Sequence, residues 1–188
     1  MVKSARESDR ISQFREGFRS VGEIQDARVY GRDPGNPYHD LLYWVSQELK
    51  PNLTVELGTC TGGSTSYLAA GSTGKVVTID IETRPSAIEG LAKFGNVELI
   101  HGDTRDPVLA AEIAKRGPFD LLFIDTDHTA DQVKAEMALY GPLVRKGGII
   151  LFDDIRMHPC MSAWWDELDE EKLEMPELHW TSFGVVFR

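Results

Sequence analysis

Apolar residues in this chain fall into short runs separated by stretches of helical period, and that alternation organises the segment between Leu53 and Ile155. The runs are Leu53–Leu57, Lys75–Ile79, Val97–Ile100, Phe119–Ile124 and Gly148–Phe152. Nearly unbroken apolar segments of this length suit parallel strands covered on both faces. Helices are predicted between them. Val133, Met137 and Tyr140 share one helical face before Gly141-Pro142 stops the pattern, and Asp106-Pro107 caps a helix carrying Leu109 and Ile113 up to Gly117-Pro118. Ser64–Ala70 reads as a small helix ended by Gly71, and Thr83-Arg84-Pro85 opens another. Upstream, Asn36-Pro37 begins a helix bearing Leu41, Leu42, Val45 and Leu49, which Pro51 ends. Beyond Asp154 a helix around Met161–Leu168 is expected, then Glu177–His179 and Phe183–Phe187 as a closing antiparallel pair. The rhythm predicts an α/β fold: a Rossmann-like, doubly wound, mostly parallel sheet of six or seven strands with helices on both faces.

Residues 1–36 are polar, with only Ile11, Phe14, Phe18, Val21 and Ile24 spaced loosely like one side of a helix. A flap or lid over the site and a surface arm are both open readings, and Gly31–Pro37 is a loop. Residues 37–188 then form the single domain that a chain of 188 residues accommodates. Thirty acids against twenty bases give a net charge of −10 with no basic stripe, which excludes nucleic acid as the natural partner. Seven acids between Asp166 and Glu177 face only Lys172, so much of the excess reads as a solvated surface run. Cys60 and Cys160 make no CxxC pair, and the N-terminus lacks the apolar core of a signal peptide. A reducing cytoplasm is the expected setting. No apolar run approaches the roughly 20 residues needed to cross a bilayer. A short domain with a helical arm is also a candidate for homo-oligomerisation.

The predicted strands run out into acids: Asp80 after the second, Asp103 after the third, Asp125 after the fourth, Asp153 and Asp154 after the fifth. Ligands of open α/β sheets bind outside the carboxyl ends of the strands, so these acids are where chemistry is expected. In the turn Val55–Ser64, VELGTCTGGS, Gly58 permits a sharp bend, while Gly62 and Gly63 permit close approach of a ligand to the backbone. The next helix offers free N–H groups and a positive dipole end to a carboxylate or phosphate. Asp80, at the end of the following strand, is placed to accept hydrogen bonds from a ribose diol. The pair specifies a nucleoside ligand. Glu56 inside the motif would repel a pyrophosphate yet can support a loop facing a cationic sulfonium, which favours S-adenosylmethionine over a dinucleotide.

At these residues the chain resembles the class I S-adenosylmethionine-dependent methyltransferases, and within them the metal-dependent O-methyltransferases of the catechol and caffeoyl-CoA type. Glu56, Gly58, Gly62 and Ser64 match their turn, with Thr59 inside it; Cys60 stands where the wider family has a second glycine. The FIDTDH segment is similar to a bacterial branch that includes macrolide-sugar O-methyltransferases and cephalosporin-biosynthesis proteins. The resemblance implies methyl transfer to a hydroxyl of a small molecule. It implies that Asp80 holds the ribose, that Asp103 or Thr104 lies near the adenine, and that Ser64 touches the methionine carboxylate. It further implies a divalent cation, Mg²⁺ by its hard oxygen ligands, on Asp125, Asp153 and Asp154, with Asp125 also bordering the cofactor. His128, in the position of the family's catalytic lysine, becomes the general base, since its unperturbed pKa of about 6.5 suits proton removal near neutrality. Asp127 is a candidate to orient it. His39, His101, His158 and His179 show no ligand spacing and read as structural or surface residues. Trp164 and Trp165 either wall a pocket or pack on the sheet, and Arg156 carries no assignment. The competing classes are a nicotinamide oxidoreductase, for which no hydride-transfer dyad is visible, and a non-catalytic S-adenosylmethionine-binding protein.

Overall fold

The computed structural model describes residues 8–19, 24, 26–29 and 37–188. Seven strands form one sheet in the order β3-β2-β1-β4-β5-β7-β6. Five are parallel: β1 Leu53–Leu57, β2 Lys75–Asp80, β3 Val97–His101, β4 Phe119–Ile124 and β5 Val144–Phe152. Strands β6 Lys172–Met175 and β7 Phe183–Phe187 close one edge, with β7 antiparallel to both neighbours. Strands β1, β4 and β7 are buried at every position, as expected of strands covered on two faces.

Helices α1 Asp9–Arg19, α2 Tyr38–Leu49, α3 Gly63–Gly71 and α4 Pro85–Leu91 pack one face through Phe14, Leu41, Tyr67 and Leu91. Helices α5 Pro107–Ala114, α6 Ala130–Tyr140 and α7 Pro159–Glu167 pack the other through Ile113, Val133 and Trp165. Pro85, Pro107 and Pro159 each stand at a helix start, where the missing N–H costs nothing. Of the expected arm, α1 is fixed at the end of the sheet away from the acids. Arg10 donates to the carbonyls of Arg188 and Gly148, and Phe14 meets Trp44 and Phe187 edge-on at 5.0 and 5.4 Å. The loop expected over Gly31–Pro37 lies outside the described residues except for Pro37.

One expectation needs correction. The outer strand of the closing pair is β6, not Glu177–His179, because Leu173 and Met175 alternate inward between Lys172 and Glu174 and pair with β7. The acidic run is mostly exposed, as expected, and within it Asp166 and Glu174 grip Arg156, Glu170 grips Arg188, and Glu177 lies beside Arg15.

Register places the site. Leu57 pairs with Ile124 and Ile124 with Phe152, so β1, β4 and β5 end at one level. The ladder then runs one residue further, with Asp125 N–H donating to Leu57 at 2.9 Å and Asp153 N–H to Ile124 at 3.1 Å. Because β7 runs the other way and Phe152 pairs with Gly184, the segment before β7 arrives at the same edge. Gly58 sits in this layer with φ +95, and a Cβ there would stand 1.9 Å from the Asp125 carbonyl oxygen. A Gly58→Ala substitution is expected to cost about 2–5 kcal/mol in denaturant unfolding, from a positive φ plus a backbone clash. Stability unchanged from the parent would show that the β1 and β4 turns do not touch as described.

Candidate active site

The glycine turn is held from beneath by a buried carboxylate. Glu56 has no solvent exposure and faces its register partner Thr78. It accepts from the hydroxyls of Ser64 and Thr78, both at 2.6 Å, and from Thr65. Thr59 and Thr78 hydroxyls meet at 2.6 Å, which ties the turn to the same group. Burial pushes the Glu56 carboxyl up to about 7 against the pull of those three hydroxyls. Ser64, expected at a ligand carboxylate, gives its hydroxyl to Glu56. Gly62, at φ +84, precedes α3 and leaves the helix start open.

Above the turn lies a cleft of about 310 Å³, bordered by Gly58, Cys60, Asp80, Ile81, Asp103 and Asp125 among others. Asp80 accepts the backbone N–H groups of Thr59 and Cys60 at 2.8 and 2.7 Å and of Glu82 at 2.8 Å, so it braces the turn as well as facing the cleft. Asp103 is paired with Arg105. Ile81 is 65% exposed beside Asp80, an apolar shelf on a polar rim. A larger cavity of about 480 Å³ opens at the opposite end of the sheet. Its cations are already matched, Lys75 and Arg116 by Glu98 and Arg145 by Asp120, and the clustered acids lie at the other end.

Next to the cleft, three strand ends converge. His128 Nε2 stands 3.7 Å from Asp125 Oδ1 and 3.4 Å from Asp154 Oδ2. His179 Nδ1 stands 3.0 Å from Asp154 Oδ1 and 3.9 Å from Asp153 Oδ1, and Thr181 donates to Asp154. Burial and then Asp154 push the Asp153 carboxyl up to about 7, and burial with Asp153, Glu56 and Asp154 raises Asp125 strongly. Burial lowers His128, outweighing Asp154 and Asp127, which favours the neutral imidazole. Tyr38 is buried at the start of α2, its ring 5.9 Å from that of His179. His128 and Asp154 both sit at positive φ, +53 and +57. Non-glycine residues hold such strain where the surroundings fix them, commonly at sites.

Three of these groups, Asp153, Asp154 and His179, offer ligand atoms all within 4.8 Å of one another. Two carboxylates and an imidazole fit a divalent cation, which would offset the burial and the like charge that raise these carboxyls. Asp125 faces the same space across His128. Sequence reasoning missed His179 because nothing links it to Asp154 in spacing; only the antiparallel return brings them together. It missed Thr181 for the same reason, and Tyr38 because only packing of α2 brings its ring to His179. Trp164 and Trp165 both pack on Phe152 at 5.4 and 5.9 Å. Arg156 is turned to Glu174 and Asp166, away from the cluster.

A family model described as a methyltransferase domain matches residues 55–155, from the glycine turn to the end of the acidic pair. The chain belongs to this methyltransferase family. Rhamnosyl O-methyltransferase of Mycobacterium tuberculosis is 32% identical over 132 residues, covering 64% of the chain and 53% of that protein. Catechol O-methyltransferase of the same organism is 34% identical over 137 residues, covering 68% of the chain and 59% of that protein. The chain thus spans a little over half the length of these relatives. In fold it is similar to the O-methyltransferase TomG of Streptomyces achromogenes, solved with S-adenosylmethionine, with TM-score 0.64, 20% identity and coverage of 99% and 93% of the two chains. Among the described residues no helix of this chain is long and apolar enough to cross a membrane, and both cysteines are free and exposed.

Glu56 supplies a pH test of the turn. Its folded value near 7 exceeds the ordinary 4.5, so between those limits the folded chain holds a proton the unfolded chain releases. Its contribution to stability is therefore full below about pH 4.5 and falls as pH rises to about 7, by on the order of 3 kcal/mol. In unfolding titrations from pH 4.5 to 7.5, Glu56→Gln is expected to flatten this slope. Parallel profiles for parent and variant would contradict the buried carboxyl as its source.

Proposed function

We propose that this methyltransferase moves a methyl group from S-adenosylmethionine to a hydroxyl oxygen of a small molecule, with a divalent cation beside the acceptor. One observation carries the reading: three acids and two imidazoles from separate strand ends converge next to a glycine turn and a nucleoside-sized cleft. The two relatives are named for a sugar and an aromatic acceptor, both hydroxyl-bearing, and TomG was solved with the methyl donor.

In this reading Gly58, Thr59, Gly62 and the start of α3 take the methionine end of the donor, Asp80 the ribose, and the Asp103–Thr104 turn the base. Asp125 borders both donor and acceptor. Asp153 and Asp154, with His179 and with Asp125 across the space, would hold Mg²⁺ or a related cation. When bound, the cation would draw charge from an acceptor hydroxyl and ease loss of its proton. His128 takes that proton at Nε2: burial favours its neutral form, and the imidazolium it becomes is faced by Asp125 and Asp154. The chain's remaining task is to hold the acceptor oxygen in line with the donor's sulfur–methyl bond, where orientation supplies much of the rate.

The test is methyl transfer to a panel of catechols and sugar hydroxyls, with and without EDTA. Turnover is expected to vanish on chelation and return with Mg²⁺. His128→Ala should lower kcat roughly 100-fold or more while donor affinity stays within about threefold. Turnover indifferent to chelator, or a silent His128→Ala with a good acceptor, would overturn the cation or the base respectively.

A further inference from the structure

Glu136 lies mid-helix in α6 with no solvent exposure, and the chemistry above makes no use of it. Its Oε1 accepts from Thr104 Oγ1 and from Gln132 Nε2, both at 2.6 Å, and its Oε2 from Thr126 Oγ1 at 2.9 Å. Those partners come from the turn after β3, the turn after β4 and the preceding turn of α6, and all three line the cleft. A buried carboxyl is costly unless hydrogen-bonded, and burial raises this one despite three donors. Such an expense of stability, concentrated on the wall of a binding cleft, calls for a role there.

The network fixes which way Gln132 points. A carboxylate only accepts, so the amide must turn its nitrogen toward Glu136. The same nitrogen reaches Thr104 Oγ1 at 3.1 Å, which occupies both N–H groups. The amide carbonyl oxygen has no partner among the described residues, and Gln132 borders the cleft. Nearby, Asp103 is already committed to Arg105, through its backbone N–H at 2.8 Å and its guanidinium at 3.1 Å. An amide carbonyl locked in this sense accepts from an amine and opposes another carbonyl.

We propose that Glu136 is a positioning residue for the donor's base: it locks Gln132 with its carbonyl toward the cleft, so that the site selects a 6-amino purine over a 6-oxo purine. This rests on reading the cleft as the seat of S-adenosylmethionine. Specificity then comes from a carboxylate that never meets the ligand, acting through the sense of one amide.

Calorimetric binding of S-adenosylhomocysteine and of its deaminated analogue, S-inosylhomocysteine, tests it. The parent protein should bind the amino compound roughly tenfold to a hundredfold more tightly, because the oxo compound sets two acceptors against each other. Gln132→Leu should bring the two within about threefold. Glu136→Gln, which can donate to Gln132 and release its amide to turn, should likewise shrink the ratio while thermal unfolding stays cooperative. Equal binding of both compounds by the parent overturns the inference and leaves the donor reading intact; full discrimination retained in both variants also overturns it. Binding of neither compound would bring down the donor reading and this inference together. The parent comparison needs no variant, so a variant that fails to fold does not remove the test.

Discussion

Carboxylates on neighbouring parallel strand ends repel one another, and the site is organised around that conflict. Parallel register makes it unavoidable here: β1, β4 and β5 finish at one level, and the residue after each strand is held by the next rung of the ladder. Hydrogen bonds to Leu57 and Ile124 fix the backbones of Asp125 and Asp153 at these neighbouring strand ends. Burial first, and the neighbouring acids second, raise both carboxyls, and a cation among them would offset both effects. The same convergence that costs stability assembles a ligand set.

Backbone strain gathers at the same level. Of the five described non-glycine residues with positive φ, Cys60, His128, Asp154 and Ser182 lie on turns at this edge of the sheet. Packing supplies the restraint: Gly58 lies against the Asp125 carbonyl, and Ile155 donates to the Ser182 carbonyl at 3.2 Å. Beneath the turns, buried polar groups do the bracing. Glu56 ties β1, β2 and α3 together, and Glu136 ties the turns after β3 and β4 to α6. Each places a carboxyl behind the cleft wall, where it shapes the surface a ligand meets.

What could be read from the sequence follows from how local each signal is. Phe119–Ile124 and Leu53–Leu57 announce themselves because both faces are buried, and Gly58, Asp125, Asp153 and Asp154 follow from where those strands stop. His128 lies three residues beyond a strand end, within reach of positional reasoning. His179 and Thr181 were invisible, since they reach the site only because an antiparallel strand returns to that edge. Strand β6 was hidden by composition: its inward Leu173 and Met175 alternate with charged residues inside an acidic run. Glu136 looks like any solvated helix acid until Thr104 and Thr126 are brought onto it from two other turns.

Direct measurement of cation binding reaches the centre of this picture. Titration with Mn²⁺, followed by electron paramagnetic resonance in the presence of S-adenosylhomocysteine, should show one tight site per chain, lost when Asp153 and Asp154 are both changed to Asn. A hyperfine coupling to nitrogen that disappears in His179→Ala would place the imidazole on the ion. Absence of a stoichiometric site, or a site unchanged by removing both acids, would contradict the claim that the converging strand ends exist to hold a cation.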